Sequence, residues 1–421
     1  MKSISRRGVL AGLAMALPAG SVLAQQVPQG QVRVELFGLA SNLWQGVIDE
    51  FAKEYPNIEV RWTKFGTDEM KQALRVGAAS GKMPDMWFNW GGSLASPYNR
   101  GGHALEITPE RIKELKLDQH VLPAAISLAS DNGKLYGVPN RIVPMSAVYR
   151  KDIFEKHGLV PPKSFAELEA ICAKLKAAGI IPFSTGGKFS WMTMRYVDFF
   201  IEHYAGPVEH DRLMAMQSPW TSEPVVKGFA KLKEWVDKGY FNPGFLNIDP
   251  ATDLQLVYQN RAAMVFEVPT VEVNRMKREG VDPNGYGTFP VPSDHTPRRV
   301  SGFQQQLQVA AKAPPAVQQA ALLFASYVVR PDVAPRNMGI IGSPSAAKGV
   351  MPGTDQPLGR QWAQWLQGEV GLYLPTDQAL PQEIVAQYFE AQDSVVLGTM
   401  SPKDAAAHVE NAIKAYKAKN K

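Results

Sequence analysis

Strand-like and helix-like stretches alternate along this chain from about residue 31 to its end, and that rhythm restricts the fold more than any other feature. Residues 31–36 alternate polar and apolar side chains, as a half-buried strand does. Asn42 can then cap a helix whose apolar face is Val47, Ile48, Phe51 and Tyr55. Pro56-Asn57 stops it, and residues 58–62 return as a strand, which makes one parallel crossover. A second unit follows. Asp68 opens a helix through Met70, Leu74 and Val76, Gly81 closes it, and residues 85–88 form an apolar strand ending in Asn89-Trp90-Gly91-Gly92.

The same grammar recurs downstream. Ser164 and Glu167 form a capping box before a buried stripe of Leu168, Ile171 and Leu175, Gly179 caps the end, and residues 180–183 continue as a strand. Another helix starts near Ser222 and ends at Gly239, residues 262–266 form a buried strand, and Ser401-Pro402-Lys403-Asp404 opens a C-terminal helix. This predicts an α/β fold, and over 421 residues two doubly wound lobes fit better than one very large sheet. In such sheets a ligand crevice lies beyond the carboxyl ends of the strands. Here those loops are 38–42, 65–67, 89–93, 185–191 and 267–270, rich in glycine, amides and aromatics.

Several function classes are disfavoured. Cys172 is the only cysteine, which excludes an internal disulfide, a Cys-rich zinc site and a CxxC redox centre. It lies at the edge of a helical stripe, as a small core residue does. No HExxH, GxGxxG, Walker or GxSxG motif is present, so no catalytic residue, metal or cofactor is expected. His203 and His210 are expected on the surface, because Gly206-Pro207 interrupts the helix that would align them. The formal charge is +5, of which Lys2, Arg6 and Arg7 supply three, and no basic run exists. A nucleic-acid partner is not expected.

Residues 1–24 read as a cleaved signal peptide: a basic start, an apolar stretch too short to span a bilayer, and Val22-Leu23-Ala24 as the cleavage site. Ser5-Arg6-Arg7-Gly8-Val9-Leu10 resembles the twin-arginine signal, which implies Tat export to the periplasm.

Six segments in order resemble the extracellular sugar-binding proteins of ABC importers, the maltose-binding-protein-like class. They are FAKEYPNIEV at 51–60 with AASGKMPDM at 78–86, GKLYGVP from Gly133 with YRKDIF from Tyr149, PKSFAEL from Pro162, GIIPFSTGGK from Gly179, WVDKGY from Trp235 with AAM at 262–264, and LGTMSP from Leu397. The resemblance covers most of the chain after the leader. It implies a type II periplasmic binding protein fold, with two doubly wound α/β lobes joined by a three-segment hinge. Lobe 1 would comprise 25–143 and 288–330, and lobe 2 would comprise 144–287 and 331–421, with crossings near 143–146, 288–292 and 328–335. The partners it implies are a small-molecule ligand, a carbohydrate (mono- or oligosaccharide, polyol or sugar acid), and an inner-membrane ABC permease, and the expected state is a monomer.

Sugars present apolar C–H faces and rims of hydroxyls, which aromatic platforms and planar polar side chains recognise. From the loop positions and the family's pattern, candidate ligand residues are Ser41, Asn42, Phe65, Asn89, Trp90, Asn140, Arg141, Lys188, Trp191, Glu267, Thr270, Gly302, Phe303 and Gln304. Arg141 offers either a bidentate contact to a diol or acid, or an interlobe salt bridge. Trp87 and Phe88 are expected in the core, and Trp362 and Trp365 in helix packing. After AAM the family commonly places a tryptophan in the cleft, whereas this chain reads Glu267-Val268-Pro269-Thr270. That departure favours a monosaccharide, disaccharide, polyol or sugar acid over a long oligosaccharide. Two alternatives stand beside this reading: the same fold with a glycerol-phosphate, polyamine or peptide ligand, and a Tat-exported glycan-active enzyme. The enzyme needs two carboxylates across the cleft, for which Glu267 and Asp85 are the nominees, although Asp85 also suits a capping role.

Overall fold

Burial alternates along the strand Val32–Leu39, where Val32, Val34 and Leu36 point inward and Arg33 and Glu35 outward. The computed structural model describes residues 27–42, 44–267, 269–296, 298–336, 345–366 and 370–420, so the leader lies outside the described residues. Val32–Leu39 pairs in parallel with Ile58–Phe65 and Met86–Trp90, as the two crossover units require. The long strand Arg298–Val309 runs antiparallel to Met86–Trp90 and to Val138–Pro144, and Val370–Tyr373 joins its first residues in parallel. The helix Pro315–Val328 covers this first sheet, with Phe324 edge-on to Phe51 at 5.1 Å between ring centroids.

A second sheet orders Tyr286–Phe289, Ser146–Arg150, Ala262–Glu267 and Ile181–Ser184. Helices Phe165–Ala177, Trp191–Met214, Glu223–Asp237, Gln382–Leu397 and Pro402–Lys419 build the body around it. The chain is thus mixed α/β with two sheets. Cys172 is fully buried in the Phe165–Ala177 stripe, and burial pushes its thiol pKa up.

Two of the passages between the sheets are short. Val138–Pro144 belongs to the first sheet and Ser146–Arg150 to the second, leaving Met145 alone between them. Its N–H donates to the Ser301 carbonyl at 2.8 Å. The second passage lies between Phe289 and Arg298. The third differs from expectation. Ser345 bridges to Arg141 and Ala347 to Val121, both beside the first sheet, so 345–348 still lies on that side beyond the expected crossing at 328–335, and Val370–Tyr373 pairs with that sheet as well. Hydrogen bonding of Leu122 N–H to Ala346 and of Ala346 N–H to Asn140 holds the segment there.

Two local expectations are also corrected. Asn42 ends a 3-10 turn, Ala40–Asn42, and does not cap the helix, which starts at Gln45 after Trp44. Trp44 is fully buried against Phe324, at 6.4 Å between centroids, and that burial sets where the helix begins. His210 is fully buried and not on the surface, although Gly206 does interrupt the helix as expected, with φ 72° and ψ 166° separating two helical segments between Trp191 and Met214. The ring meets Tyr373 edge-on at 4.6 Å, and burial beside Arg299 lowers its pKa to about 3. Trp87 and Phe88 are fully buried, and Trp362 is fully buried beside Trp365 at 5.3 Å.

Candidate functional site: a cleft between the sheets

Residues from both sheets line a partly open cavity of about 120 Å³. Each of the five loops at the strand ends reaches it, through Ser41, Thr67, Trp90, Trp191 and Glu267 among others. The opposite wall is the strand Arg298–Val309, which presents Ser301, Phe303 and Gln305.

Two tryptophans come from the two sides. Trp90 ends the strand Met86–Trp90, lies edge-on to Phe88 at 4.8 Å and is 6% exposed. Trp191 opens the helix Trp191–Met214. Lys71, one turn after Thr67, places its Nζ 5.3 Å from the Trp90 ring centroid and 6.0 Å from that of Trp191. Arg195, one turn after Trp191, lays its guanidinium 4.6 Å from the same Trp191 centroid. Trp191 Nε1 donates to Asp68 Oδ2 at 3.4 Å, and Asp68 lies 3.6 Å from Lys71. The two halves therefore touch across the cleft.

The floor is charged. Arg195 Nη1 donates to Glu267 Oε2 at 2.9 Å and to the Phe266 carbonyl at 3.2 Å. Arg141 is 1% exposed, and desolvation lowers its pKa to about 10 while Glu267 opposes the shift. It remains a cation at neutral pH. Its Nη1 lies 3.5 Å from Gln305 Oε1. Asp377 arrives on the short helix Thr376–Ala379, where burial raises its pKa and Lys71 and Arg195 pull it down.

That short helix is pinned on both sides. Thr376 N–H donates to Asp198 Oδ2 at 2.8 Å, and Ser93 Oγ donates to the Asp377 carbonyl at 2.9 Å. Gly92 allows the second contact: its φ is +63°, and a Cβ there would sit 2.2 Å from the Gln378 carbonyl oxygen.

Of the residues expected from sequence, Ser41, Trp90, Arg141, Trp191, Glu267 and Phe303 line the cavity. Six others do not. Asn89 turns away and donates to Gln308 Oε1 at 2.8 Å. Asn140 is buried, with its carbonyl taken by Ala346. Phe65 packs on Phe37 at 4.8 Å, and Lys188 is exposed beside Phe189. Gly302 faces Leu372, and Gln304 packs its side chain on Gly91. The side chains of Asn42 and Thr270 lie outside the described residues. Asp85 accepts the Glu35 N–H at 2.9 Å at the far end of its strand, so it does not face Glu267. The carboxylate that shares the cleft with Glu267 is Asp377.

Sequence reasoning misses Thr67, Lys71, Arg195, Gln305 and Asp377. Helical period offers a signal for two of them, since Lys71 and Arg195 each follow a loop residue by four. Among the described residues no group of three or more His, Cys, Asp or Glu could hold a metal, and no helix is long and apolar enough to cross a membrane.

The family model of bacterial extracellular solute-binding proteins matches residues 38–335. An ABC transporter extracellular-binding protein of Pyrococcus horikoshii is 25% identical over 260 residues, 61% of this chain and 59% of that protein. The match therefore spans less than two thirds of that relative's length. Among solved structures, a chitin oligosaccharide binding protein superposes with TM-score 0.82 at 20% identity, covering 91% of this chain and 98% of that one. A bacterial solute receptor with an exclusive preference for β-D-galactopyranose gives 0.81 at 16% identity, covering 92% and 100%. At these identities the likeness is one of fold.

Proposed function

The chain belongs to the bacterial extracellular solute-binding protein family, and from that premise we propose that it captures a carbohydrate between two lobes and delivers it to the permease of an ABC importer. In this reading lobe 1 comprises 25–143 and 288–330, extended by the 345–348 segment and by Val370–Tyr373, and lobe 2 comprises 144–287 and the rest of the C-terminal chain. Contacts made by both lobes hold the closed form, which is the species a permease engages.

The observation that carries the proposal is the meeting of Trp90 and Trp191 on one cavity that also holds Gln305 and the Arg195–Glu267 pair. The indoles suit the C–H faces of a sugar ring, and the planar polar groups suit adjacent hydroxyls. The 120 Å³ at the base of this partly open cleft is room for roughly ten water positions at about 10–15 Å³ each, which suits a small guest or one end of a longer one. Glu267, where the family commonly has an aromatic ring, agrees with that size. The chitin oligosaccharide and galactopyranose receptors of the same fold support a sugar as the ligand class. The leader at 1–24 supports export to the periplasm, with Ser5-Arg6-Arg7 favouring the Tat route. A monomeric, non-catalytic receptor fits best, because Arg195 engages the Glu267 carboxylate that an acid–base reaction would need.

A thermal-shift panel of sugars, polyols, organic phosphates, polyamines and short peptides tests the proposal. Sugars or polyols should raise the melting temperature and be recovered unchanged by chromatography. A shift confined to polyamines or peptides, or turnover of a glycan, would overturn it.

A further inference from the structure

The backbone of Asp377 is committed at both of its polar groups. Its N–H points to Met194 Sδ at 3.3 Å, and its carbonyl accepts from Ser93 Oγ at 2.9 Å and from Gln382 Nε2 at 2.7 Å. Thr376, the residue before it, is tied through both its N–H and its hydroxyl to the buried Asp198 carboxyl. The side chain of Asp377, which lines the cavity, is thus carried on a rigid mount. That side chain is 9% exposed, and its Oδ1 is buried without a hydrogen-bond partner among the described residues. Neither Lys71 nor Arg195 bonds this oxygen, although both line the same cavity. On the strand Arg298–Val309, which forms another wall, Ser301 is 1% exposed. Its Oγ is likewise buried and unpartnered among the described residues.

A carboxyl keeps at least one acceptor oxygen in either protonation state, and a hydroxyl both donates and accepts. A buried acceptor left unpaired costs free energy, which a donor on the guest recovers. The indoles impose no such demand, because they read the C–H faces of a ring and not its hydroxyl hydrogens. In the closure proposed above, the guest would enter before the halves meet, so groups sealed in this form come within its reach. We propose that Asp377 is the specificity-determining residue of the cleft. Its Oδ1 accepts a hydrogen bond from one ring hydroxyl of the guest, Ser301 Oγ engages a second, and a saccharide that lacks the first donor is rejected. This rests on the carbohydrate reading above and deepens it.

Calorimetric titration of the mature chain, stripped of bound solute by unfolding and refolding, tests this. The probes are D-glucose, D-galactose, D-mannose and D-xylose, each beside its monodeoxyfluoro analogues, in which one hydroxyl donor at a time becomes fluorine. For at least one parent, replacing one particular hydroxyl should weaken binding about tenfold or more, as when a buried polar group is left unpaired. Asp377→Leu should bring that ratio to within about threefold of one and leave the ratios at other positions unchanged. Asp377→Asn, which keeps an acceptor oxygen, should fall between the two, and it carries the comparison if the leucine variant does not fold. Equal weakening of parent and analogues by these variants would show a packing role only and overturn the proposal. A wild type in which no replacement costs more than about threefold also overturns it. Binding by none of the four parents overturns it as well. Carbohydrate capture then stands if a larger sugar or a polyol shifts the melting temperature in the panel above, and falls too if none does.

Discussion

Arg195 and Glu267 meet at 2.9 Å on the floor of the cleft, each side chain only 9% exposed, so the pair is both buried and directly beside the guest. The guanidinium also lies 4.6 Å from the Trp191 ring centroid, which couples the ion pair to one of the two aromatic walls. Breaking a buried pair from one side strands a charge in low dielectric. Glu267→Gln should therefore destabilise the protein by about 3 kcal/mol. The Arg195→Met/Glu267→Gln double variant should recover part of that loss, as read from urea midpoints. Additive costs would show that the two groups act independently.

Trp90→Ala and Trp191→Ala should each weaken the ligand identified in the thermal-shift panel by about 1–3 kcal/mol, through lost stacking and apolar burial. Calorimetry reads the affinity, and circular dichroism checks the fold. An unchanged Kd for either variant removes that indole from the site.

Gly92 and Gly102 separate backbone strain from collision. Both have positive φ, +63° and +68°, but a Cβ at Gly92 would meet the Gln378 carbonyl at 2.2 Å, while at Gly102 nothing lies within 4 Å. Gly102→Ala should cost about 1 kcal/mol, the left-handed penalty alone. Gly92→Ala should cost more and should also lower ligand affinity, because it pushes away the helix that carries Asp377 and Gln378. Equal melting temperatures for the two variants would count against this.

Asp198 is fully buried and accepts hydrogen bonds from Thr376 N–H at 2.8 Å, Thr376 Oγ1 at 2.6 Å and Tyr388 Oη at 2.9 Å. Burial outweighs these donors and pushes its pKa from 3.8 up to about 7. Between those values the folded protein holds a proton that the unfolded chain has lost. Stability contributed by this carboxyl is present at low pH and is lost as pH rises through that window, by roughly 4 kcal/mol in all. Urea denaturation at pH 5 and pH 8 should show a steeper fall for the wild type than for Asp198→Asn. Parallel pH profiles would refute the assignment.

Strand ends were legible because period-2 and period-3.6 patterns are local, and the five loops they mark all reach the cleft. The facing of individual side chains was less legible, for reasons visible at particular residues. Along 304–308 amides occupy both faces of the strand, so polarity cannot tell inside from outside. Pairing with Met86–Trp90 and Val138–Pro144, including a register shift between Gln305 and Gln306, turns Gln305 to the cavity. Asn89 and Trp90 are neighbours on one strand and must point to opposite sides, so only one of them could line the site. Asp377 lies 284 residues beyond Ser93, whose hydroxyl donates to its carbonyl, and no local pattern announces it. Asn42 has the chemistry of a cap, but the burial of Trp44 overrides it.

With Met145 as the sole residue between strands of different sheets, any swing of one half against the other has its pivot beside it. Displacement grows with the length of the lever arm, so Val143, Met145 and Ser301, which line the cavity next to that point, barely travel. Arg141 lies about 13 Å along the same strand and rides with it as a fixed post. In the closure proposed above, Trp191, carried by the other half, would sweep the larger arc, so a guest would settle first on stationary ground and the far indole would arrive afterwards to cover it.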